Sequence, residues 1–244
     1  MLNYKYKVNN GYYDFFVLNI RTFFRNSKNS IHKARNEIKV INYENKDLVV
    51  KAFKRPHFLN RIIYSFFRES KAKRTYEYAL KIGEFTPKPI GYIEFYENLL
   101  LKDSYFISEK FEYTYTIREP LFKKDFPRKE EILKSFAKFA YTLHNNGIYH
   151  LDFSPGNILI KEENDEFIFK IVDINRMKFL NMNLNLRMKS FSKLWAKEND
   201  LKIIAKEYAK ILQIEDKTVI EKIIYFTKKD KKIKNMKNML RGKR

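Results

Sequence analysis

The chain has 244 residues, of which 44% are hydrophobic and 16% aromatic, and it carries a formal net charge of +21. This length and apolar content suffice for one large domain or two lobes and exclude a disordered chain. The absence of cysteine excludes disulfides and thiolate metal sites, and the presence of only 4 His disfavours a structural zinc site.

The residues after Met1 are polar and charged, and no apolar run approaches the length that spans a bilayer. We therefore expect a protein of the reducing cytoplasm. The basic excess favours an anionic partner such as nucleotide phosphates, nucleic acid or an anionic membrane surface. The codon bias of an AT-rich genome explains the same lysine content equally well, so the charge alone does not identify the partner.

Two N-terminal segments, residues 12–24 and 37–53, are rich in the aromatic and β-branched residues typical of strands. Inside the second segment, residues 44–47 (ENKD) have turn chemistry, which predicts a hairpin that ends in VVKAF. Residues 60–82 carry apolar side chains at helical spacing and are followed by Gly83. This pattern predicts a single basic amphipathic helix.

Pro87 and Pro89 precede three short apolar runs, IGYIEFY, LLL and YFISEKF, which we interpret as strands. Residues 1–110 are thus predicted to form a small β-rich N-terminal lobe with one inserted helix. The remaining residues, 111–244, are predicted to form a larger, mainly helical C-terminal lobe.

The C-terminal lobe has its own pattern. A helix is predicted after Pro127, with Asn146 and Gly147 as its end. Two strand-like runs follow, NILI and FIFKIVD, separated by the polar turn KEENDE. From about residue 184 onward the pattern is helical, and the basic tail KKDKKIKNMKNMLRGKR has little apolar content around which to fold.

A chemical motif lies in the stretch HLDFSPGNILI. Asp152 and Asn157 share the loop before the NILI strand, and Asp173 closes the FIFKIVD strand, so a hairpin would bring three oxygen side chains together. Phosphoryl transfer needs a carboxylate to accept a proton and hard oxygen ligands for Mg²⁺. Pro155 and Gly156 supply the turn between the first two. A local Asx-type turn would explain Asp152 and Asn157 but not Asp173.

A nucleotide also needs a cation near its phosphates, and Lys51 lies on the predicted VVKAF strand. An acid has to orient that lysine. Glu77 is the first choice and Glu69 the alternative.

These residues resemble a known family, the lipopolysaccharide kinases that phosphorylate Kdo or inner-core heptose, within the protein-kinase-like fold. The resemblance rests on HxDxxxxN, present as His150, Asp152 and Asn157, and on IVDINR, which contains Asp173. It covers residues 38–176 and implies an α+β, bilobal protein-kinase-like fold with ATP between the lobes. Lys51 is similar to the strand lysine and Glu77 to its helix partner. Backbone atoms of Glu109 to Phe111 would meet the adenine.

The resemblance implies Mg²⁺-dependent transfer of the ATP γ-phosphate to a sugar hydroxyl of Kdo or heptose, on the lipopolysaccharide core or a lipid A precursor. Asp152 would position and deprotonate the hydroxyl, and Asn157 and Asp173 would hold the metal. Because the acceptor is carried by a lipid, the basic surface would also suit peripheral contact with the anionic inner face of the cytoplasmic membrane.

The sequence departs from regulated protein kinases, because it has no GxGxxG, no DFG and no APE. These departures favour a sugar kinase over a protein kinase. Two alternatives stay open. One is another small-molecule or protein kinase of the same fold. The other is a catalytically silent, basic nucleic-acid-binding protein, which the interleaving of the aromatic residues with core positions disfavours.

Overall fold

The computed structural model describes residues 3–33 and 36–240. The chain forms two compact units, residues 1–111 and residues 112–244. The N-terminal unit contains an antiparallel six-stranded sheet in the order β1-β5-β6-β4-β3-β2. Its strands are β1 (Asn3–Val8), β2 (Ser30–Lys33), β3 (Glu37–Tyr43), β4 (Lys46–Phe53), β5 (Pro89–Glu97) and β6 (Leu100–Glu109).

The predicted hairpin over residues 37–53 is confirmed. Strands β3 and β4 pair in antiparallel register from Glu37 with Ala52 to Tyr43 with Lys46. The two residues between them, Glu44 and Asn45, have φ of 47° and 65°. Positive φ at both central residues produces the tight turn whose twist matches the twist of the flanking strands. The predicted LLL and YFISEKF strands form one continuous strand, β6.

The strand prediction for residues 12–24 is wrong. This segment forms two short helices, α1 (Asp14–Leu18) and α2 (Ile20–Asn26). The buried side chains recur at intervals of three and four residues, which is helical spacing, and they enter the core on one face of the sheet. Those side chains are Tyr13, Phe16, Val17, Ile20 and Phe24. Aromatic composition suggested a strand, but the period of the pattern decided the structure.

The single helix predicted for residues 60–82 is two helices, α3 (Phe58–Phe66) and α4 (Lys71–Ile82). The chain breaks between them because Ser70 caps α4, and its hydroxyl accepts a hydrogen bond from the Lys73 N–H at 3.1 Å. Gly83 ends α4 with φ of 55°, as predicted. Residues 3–33 and 36–111 therefore contain four α-helices rather than one.

The C-terminal unit combines small sheets with helices. Strands β9 and β10 pair in antiparallel register from Ile158 with Ile171 to Glu163 with Glu166, which confirms the hairpin predicted there. Strand β7 adds to β9, and β8 pairs with β11. The strands are β7 (Tyr115–Thr116), β8 (Ile148–His150), β9 (Ile158–Glu163), β10 (Glu166–Ile171) and β11 (Met177–Phe179). The helices are α5 (Arg118–Phe122), α6 (Lys129–Asn145), α7 (Leu184–Ser190), α8 (Glu198–Leu212) and α9 (Asp216–Leu240).

The basic C-terminal tail is helical through Leu240, as the last part of α9, whereas the sequence offered little for it to fold around. Its side chains from residue 231 to 240 are all exposed, so the segment extends the helix without joining a core. The last four residues of the predicted tail, 241–244, lie outside the described residues. Within residues 3–33 and 36–240, none of the helices combines the length and the apolar character needed to cross a bilayer.

A buried histidine links three helices of the C-terminal unit. His144 of α6 contacts the Tyr208 hydroxyl of α8 through Nδ1 at 2.8 Å and the Ser190 Oγ of α7 through Nε2 at 2.9 Å. The Ser190 hydroxyl donates to the Arg187 carbonyl at 2.7 Å, so it accepts a hydrogen bond from His144 Nε2, which carries a ring proton. Burial, followed by the Arg187 charge, lowers the pKa of His144 to about 3.

This shift predicts a pH-dependent stability. In the unfolded chain a histidine binds a proton below about pH 6.5, while folded His144 stays neutral. The free energy of unfolding should therefore decrease by about 1.4 kcal/mol for each unit by which the pH is lowered below that value. Urea unfolding measures the free energy of unfolding at several pH values between 7 and 5. Its slope against pH should be smaller for His144→Gln than for the wild type. The exposed His57→Gln is the control, for which we expect the wild-type slope; equal slopes in all three proteins would contradict the prediction.

Candidate active site

Asp152 and Asn157 lie on the loop of residues 151–157, between strands β8 and β9. The loop is anchored from within, because Phe153 is buried and its ring stacks on Phe136 of α6, with 5.6 Å between the ring centroids. The loop ends in a single 3-10 turn, Pro155–Asn157, in which Pro155 is also buried. The half-buried Asp152 is thus held on a loop with a packed interior and a strand at each end.

His150 fixes the start of this loop. Its Nδ1 accepts a hydrogen bond from the Asp152 N–H at 3.0 Å, and its Nε2 lies 3.0 Å from the Val172 carbonyl oxygen. A backbone N–H can only donate and a carbonyl can only accept, so the imidazole is neutral with its proton on Nε2. Burial lowers the pKa of His150, against the hydrogen bond to Val172 and the nearby carboxylates. His150 therefore braces the loop.

Asn157 closes the loop from the other side. Its Nδ2 donates to the Asp152 carbonyl oxygen at 2.9 Å, which leaves Oδ1 as the atom that can face a ligand. Both of the hydrogen bonds that hold Asp152 involve its main chain. The carboxylate of Asp152 is therefore not needed to hold the loop together.

Asp173 follows β10 and comes back beside the loop. The Val172 N–H donates to the Asn157 carbonyl at 2.9 Å, which continues the β9–β10 pairing to the end where Asp173 leaves the strand. Asp173 has φ of 58°, a left-handed conformation that Asp tolerates better than most residues, and its Oδ1 accepts from Asn175 Nδ2 at 2.7 Å. The hairpin thus brings Asn157 and Asp173 to one end. Amide and carboxylate oxygens there are the hard ligands that suit Mg²⁺, which retains several waters in such sites.

Arg118 is a neighbour of the loop that the sequence did not reveal. A Cβ placed on Gly156 would lie 3.3 Å from Arg118 Nη2, so the guanidinium of α5 rests against the loop at its glycine. The backbone of Gly156 is not in the left-handed region, so the turn itself does not require glycine. No signal in the sequence links residues so far apart.

In the N-terminal unit, Lys51 occupies the middle of the sheet. The register places Lys51 of β4 opposite Phe106 of β6, and Phe106 opposite Tyr92 of β5. Residues in one such row point to the same face of a sheet. Helix α4 packs on that face, where the Tyr76 and Tyr92 rings are 5.3 Å apart. Lys51 and the helix that carries Glu77 therefore share one face, as the prediction requires.

Glu77 forms an ion pair with Lys73 at 3.6 Å, and Glu69 pairs with the same lysine at 2.9 Å. Lys73 therefore bridges both of the acids that the sequence offered as partners for Lys51. Burial, followed by the charge of Glu69, raises the pKa of Glu77, whereas the hydrogen bond to Lys73 lowers the pKa of Glu69. Lys73 was not predicted as their partner, although its spacing of four residues from each acid is the signal for such pairs.

Glu109 ends β6, and Phe111 follows it at the end of the N-terminal unit. The Glu109 N–H donates to the Lys88 carbonyl at 2.9 Å, and the Lys110 N–H donates to the Asp47 carbonyl at 3.0 Å. The Glu109 N–H is thus already used within the unit, so a ligand contact from the Glu109 main chain would go through its carbonyl oxygen.

The fold and these residues define a class. A β-rich unit with a central strand lysine, followed by a helical unit with HxDxxxxN and a strand-end aspartate, is the arrangement of a phosphotransferase with the protein-kinase-like fold. The sequence profile described as the lipopolysaccharide kinase (Kdo/WaaP) family matches residues 30–214. The chain belongs to this family, which confirms the resemblance, and it is a kinase of lipopolysaccharide biosynthesis.

The structure of WaaP supports the fold. WaaP, in a structure with acyl carrier protein, is similar at a TM-score of 0.61 and 11% sequence identity, over 93% of this chain and 98% of that chain. The Rio2 kinase from Chaetomium thermophilum, in a complex with ADP, Mg²⁺ and phosphoaspartate, has a TM-score of 0.48 and 15% identity, over 87% of this chain and 67% of that chain. No curated protein matches the sequence. The predicted α+β, protein-kinase-like fold is confirmed.

The loop geometry predicts that substitutions of Asp152 and Asn157 differ in their effect on stability. Asp152→Asn should change the free energy of unfolding by no more than about 0.5 kcal/mol, because only its main chain holds the loop. Asn157→Ala should cost about 1 kcal/mol, because the hydrogen bond to the Asp152 carbonyl is lost. Urea denaturation measures both, and a larger loss for Asp152→Asn than for Asn157→Ala would contradict this division.

The two glycines of this region should differ as well. Gly147 has φ of 67°, and a Cβ there would lie 2.8 Å from the Leu180 carbonyl oxygen, so Gly147→Ala should cost at least about 1 kcal/mol. A Cβ at Gly156 would meet only the far end of the long Arg118 side chain, so the loss of stability in Gly156→Ala should stay within about 0.5 kcal/mol. Thermal unfolding of the two variants tests the contrast, and equal losses would refute it.

Proposed function

We propose that the protein is an ATP- and Mg²⁺-dependent kinase that transfers the γ-phosphate to a hydroxyl of Kdo or heptose in the lipopolysaccharide inner core. The observation that carries this proposal is the convergence of Asp152, Asn157 and Asp173 at one end of a hairpin in a member of this family. The fold and the family support a kinase; the nucleotide, the metal and the acceptor sugar are the proposed part.

In the proposed reaction the sugar hydroxyl oxygen bonds to the γ-phosphorus while the bond from that phosphorus to the bridging oxygen of ADP breaks. The hydroxyl proton passes to the Asp152 carboxylate, and ADP leaves. Asp152 suits this role because its main chain is fixed by His150 and Asn157 while its carboxylate holds no part of the loop. Catalysis of this kind relies on positioning and on stabilising charge.

Asn157, through Oδ1, and Asp173, through its carboxylate, are the residues that would hold Mg²⁺. The metal, when bound, neutralises the charge that develops on the phosphate oxygens. The Asn175 amide supports this role because it orients the Asp173 carboxylate at 2.7 Å. Support of this kind from a residue outside the ligand set is typical of metal sites.

The N-terminal lobe, residues 1–110, is proposed to bind the nucleotide, and the C-terminal lobe, residues 111–244, to carry the catalytic loop and the metal ligands. Lys51 would bind the phosphates, and Glu77 would orient it from the helix on the same sheet face. The Glu109 carbonyl and the main chain of Phe111 would meet the adenine. The carbonyl of Glu109 is proposed rather than its N–H because the N–H already donates to the Lys88 carbonyl.

We place the enzyme in the cytoplasm, in peripheral contact with the anionic inner face of the cytoplasmic membrane. A lipid-borne acceptor, on the lipopolysaccharide core or a lipid A precursor, and the net charge of +21 support this location. The lack of DFG and APE motifs supports a sugar rather than a polypeptide as the acceptor.

The test is phosphate transfer from ATP to a Kdo-containing lipid A precursor and to a heptose-containing core, with Mg²⁺ present. Asp152→Asn should lower turnover by at least about a hundredfold and leave nucleotide binding near the wild-type value. Asp173→Ala should abolish Mg²⁺-dependent nucleotide binding as well as turnover. Asp165→Asn is the matched control, because this acid lies at the opposite end of the same hairpin and its side chain is 97% exposed.

Full turnover in Asp152→Asn would overturn the role of that residue. Nucleotide binding that requires Asp173, together with no transfer to either sugar, would support a kinase and contradict Kdo and heptose as its acceptors. Wild-type protein that binds no nucleotide in the presence of Mg²⁺ would overturn the proposal as a whole.

A further inference from the structure

Helix α3 presents its apolar side chains to solvent. Leu59, Ile63 and Phe66 recur at intervals of four and three residues, which places them on one face of the helix. These three are 75%, 42% and 61% exposed, and the helix has no buried residue. Phe67, directly after the helix and also exposed, extends this face, and the four side chains together form the α3 surface: Leu59, Ile63, Phe66 and Phe67.

The polar side of α3 is the side that holds the helix to the protein. Arg61 Nε donates to the Leu101 carbonyl oxygen at 2.9 Å, and the Leu101 N–H donates to Ser65 Oγ at 2.9 Å. Arg61 and Ser65 are four residues apart and so lie on one face, opposite the α3 surface. Surface helices ordinarily turn the apolar stripe inward. Helix α3 does the reverse, so its apolar face is left for another partner.

Cations surround the α3 surface. Lys54 and Arg55 precede the helix, Arg68 follows it, and all three side chains are exposed. Arg55 forms a solvent-exposed ion pair with Glu97 at 3.4 Å. Beside the helix lies a cavity of about 230 Å³. Its basic lining comes from Lys54, Arg55, His57 and Lys71. The apolar face is therefore bordered by groups that attract phosphate.

We propose that the α3 surface docks on an anionic lipid bilayer, with its apolar side chains in the boundary between headgroups and acyl chains and the flanking cations at the lipid phosphates. An exposed apolar helix face with basic flanks is the physical description of an interfacial helix. This inference rests on the proposed function, since an acceptor carried by a lipid gives the enzyme a reason to bind the membrane, and it adds which surface makes the contact.

Charge complementarity favours a bilayer over a second copy of the chain. Two copies joined through their α3 surfaces would bring together two sets of cations, in a protein with a net charge of +21. An anionic bilayer instead attracts those cations, at about 1 kcal/mol for each Lys or Arg near the surface. The same cations that disfavour a dimer thus stabilise contact with the membrane.

The experiment is co-sedimentation of the full chain with vesicles of phosphatidylcholine, either alone or mixed with phosphatidylglycerol. Wild type should bind the mixed vesicles and bind the neutral ones more weakly. The double variant Leu59→Ser/Phe66→Ser should bind the mixed vesicles at least about tenfold more weakly, since two large apolar side chains no longer enter the bilayer. The matched control is Phe15→Ser, because Phe15 of α1 is 65% exposed in the same unit; its binding should equal that of wild type.

A second arm tests the charges. The double variant Lys54→Gln/Arg68→Gln should bind the mixed vesicles at least about tenfold more weakly than wild type and keep the weak binding to neutral ones. Equal binding of Leu59→Ser/Phe66→Ser and wild type would overturn the proposal and assign the binding to charge alone. A wild-type dimer in sedimentation equilibrium that Leu59→Ser/Phe66→Ser dissociates would also overturn it, in favour of a second copy.

The outcome is separable from the proposed function. Leu59→Ser/Phe66→Ser should keep the wild-type melting temperature, nucleotide binding and transfer to a lipid-free acceptor sugar, because neither side chain belongs to the core or to the proposed site. Loss of vesicle binding with retained transfer to the free sugar supports the docking surface. If the wild type binds vesicles through the α3 surface but shows no kinase activity, the docking surface is supported and the proposed function is not.

Discussion

A neutral imidazole organises the loop of residues 151–157. His150 ends β8 and bonds to the Asp152 N–H through one nitrogen and to the Val172 carbonyl through the other, so one ring connects three segments of the chain. A proton on both nitrogens would set two donors against each other at Asp152. Burial, which disfavours the charged ring, therefore protects the geometry on which the positions of Asp152, Asn157 and Asp173 depend.

In the N-terminal unit, the regular register of the strands determines where Lys51 lies. The row from Lys51 through Phe106 to Tyr92 determines which face of the sheet carries the lysine. The Tyr76 and Tyr92 rings then hold α4 on that face. Lys73 pairs with Glu69, which precedes α4, and with Glu77 on α4, and so compensates the charge of two neighbouring acids.

Features with a local cause were predictable from the sequence. The hairpins of residues 37–53 and 158–171, helix α6 and the loop motif all follow from periods and turn residues within a few positions. The errors arose where two local signals competed, as in residues 12–24, where aromatic content suggested a strand and the spacing of Phe16, Val17 and Ile20 produced helices. The contact of Arg118 with Gly156 could not be predicted, because it depends on how β7 adds to β9.

In helix α3, the residues that attach the helix to the protein are not the apolar ones. Its attachment uses Arg61 and Ser65 and the main chain of Leu101, so the fold depends on positions that never face outward. The outward positions support no core and are free to vary in size and shape at little cost to stability. If this face contacts a bilayer as proposed, its side chains can change with the lipid composition without disturbing the sheet that carries Lys51.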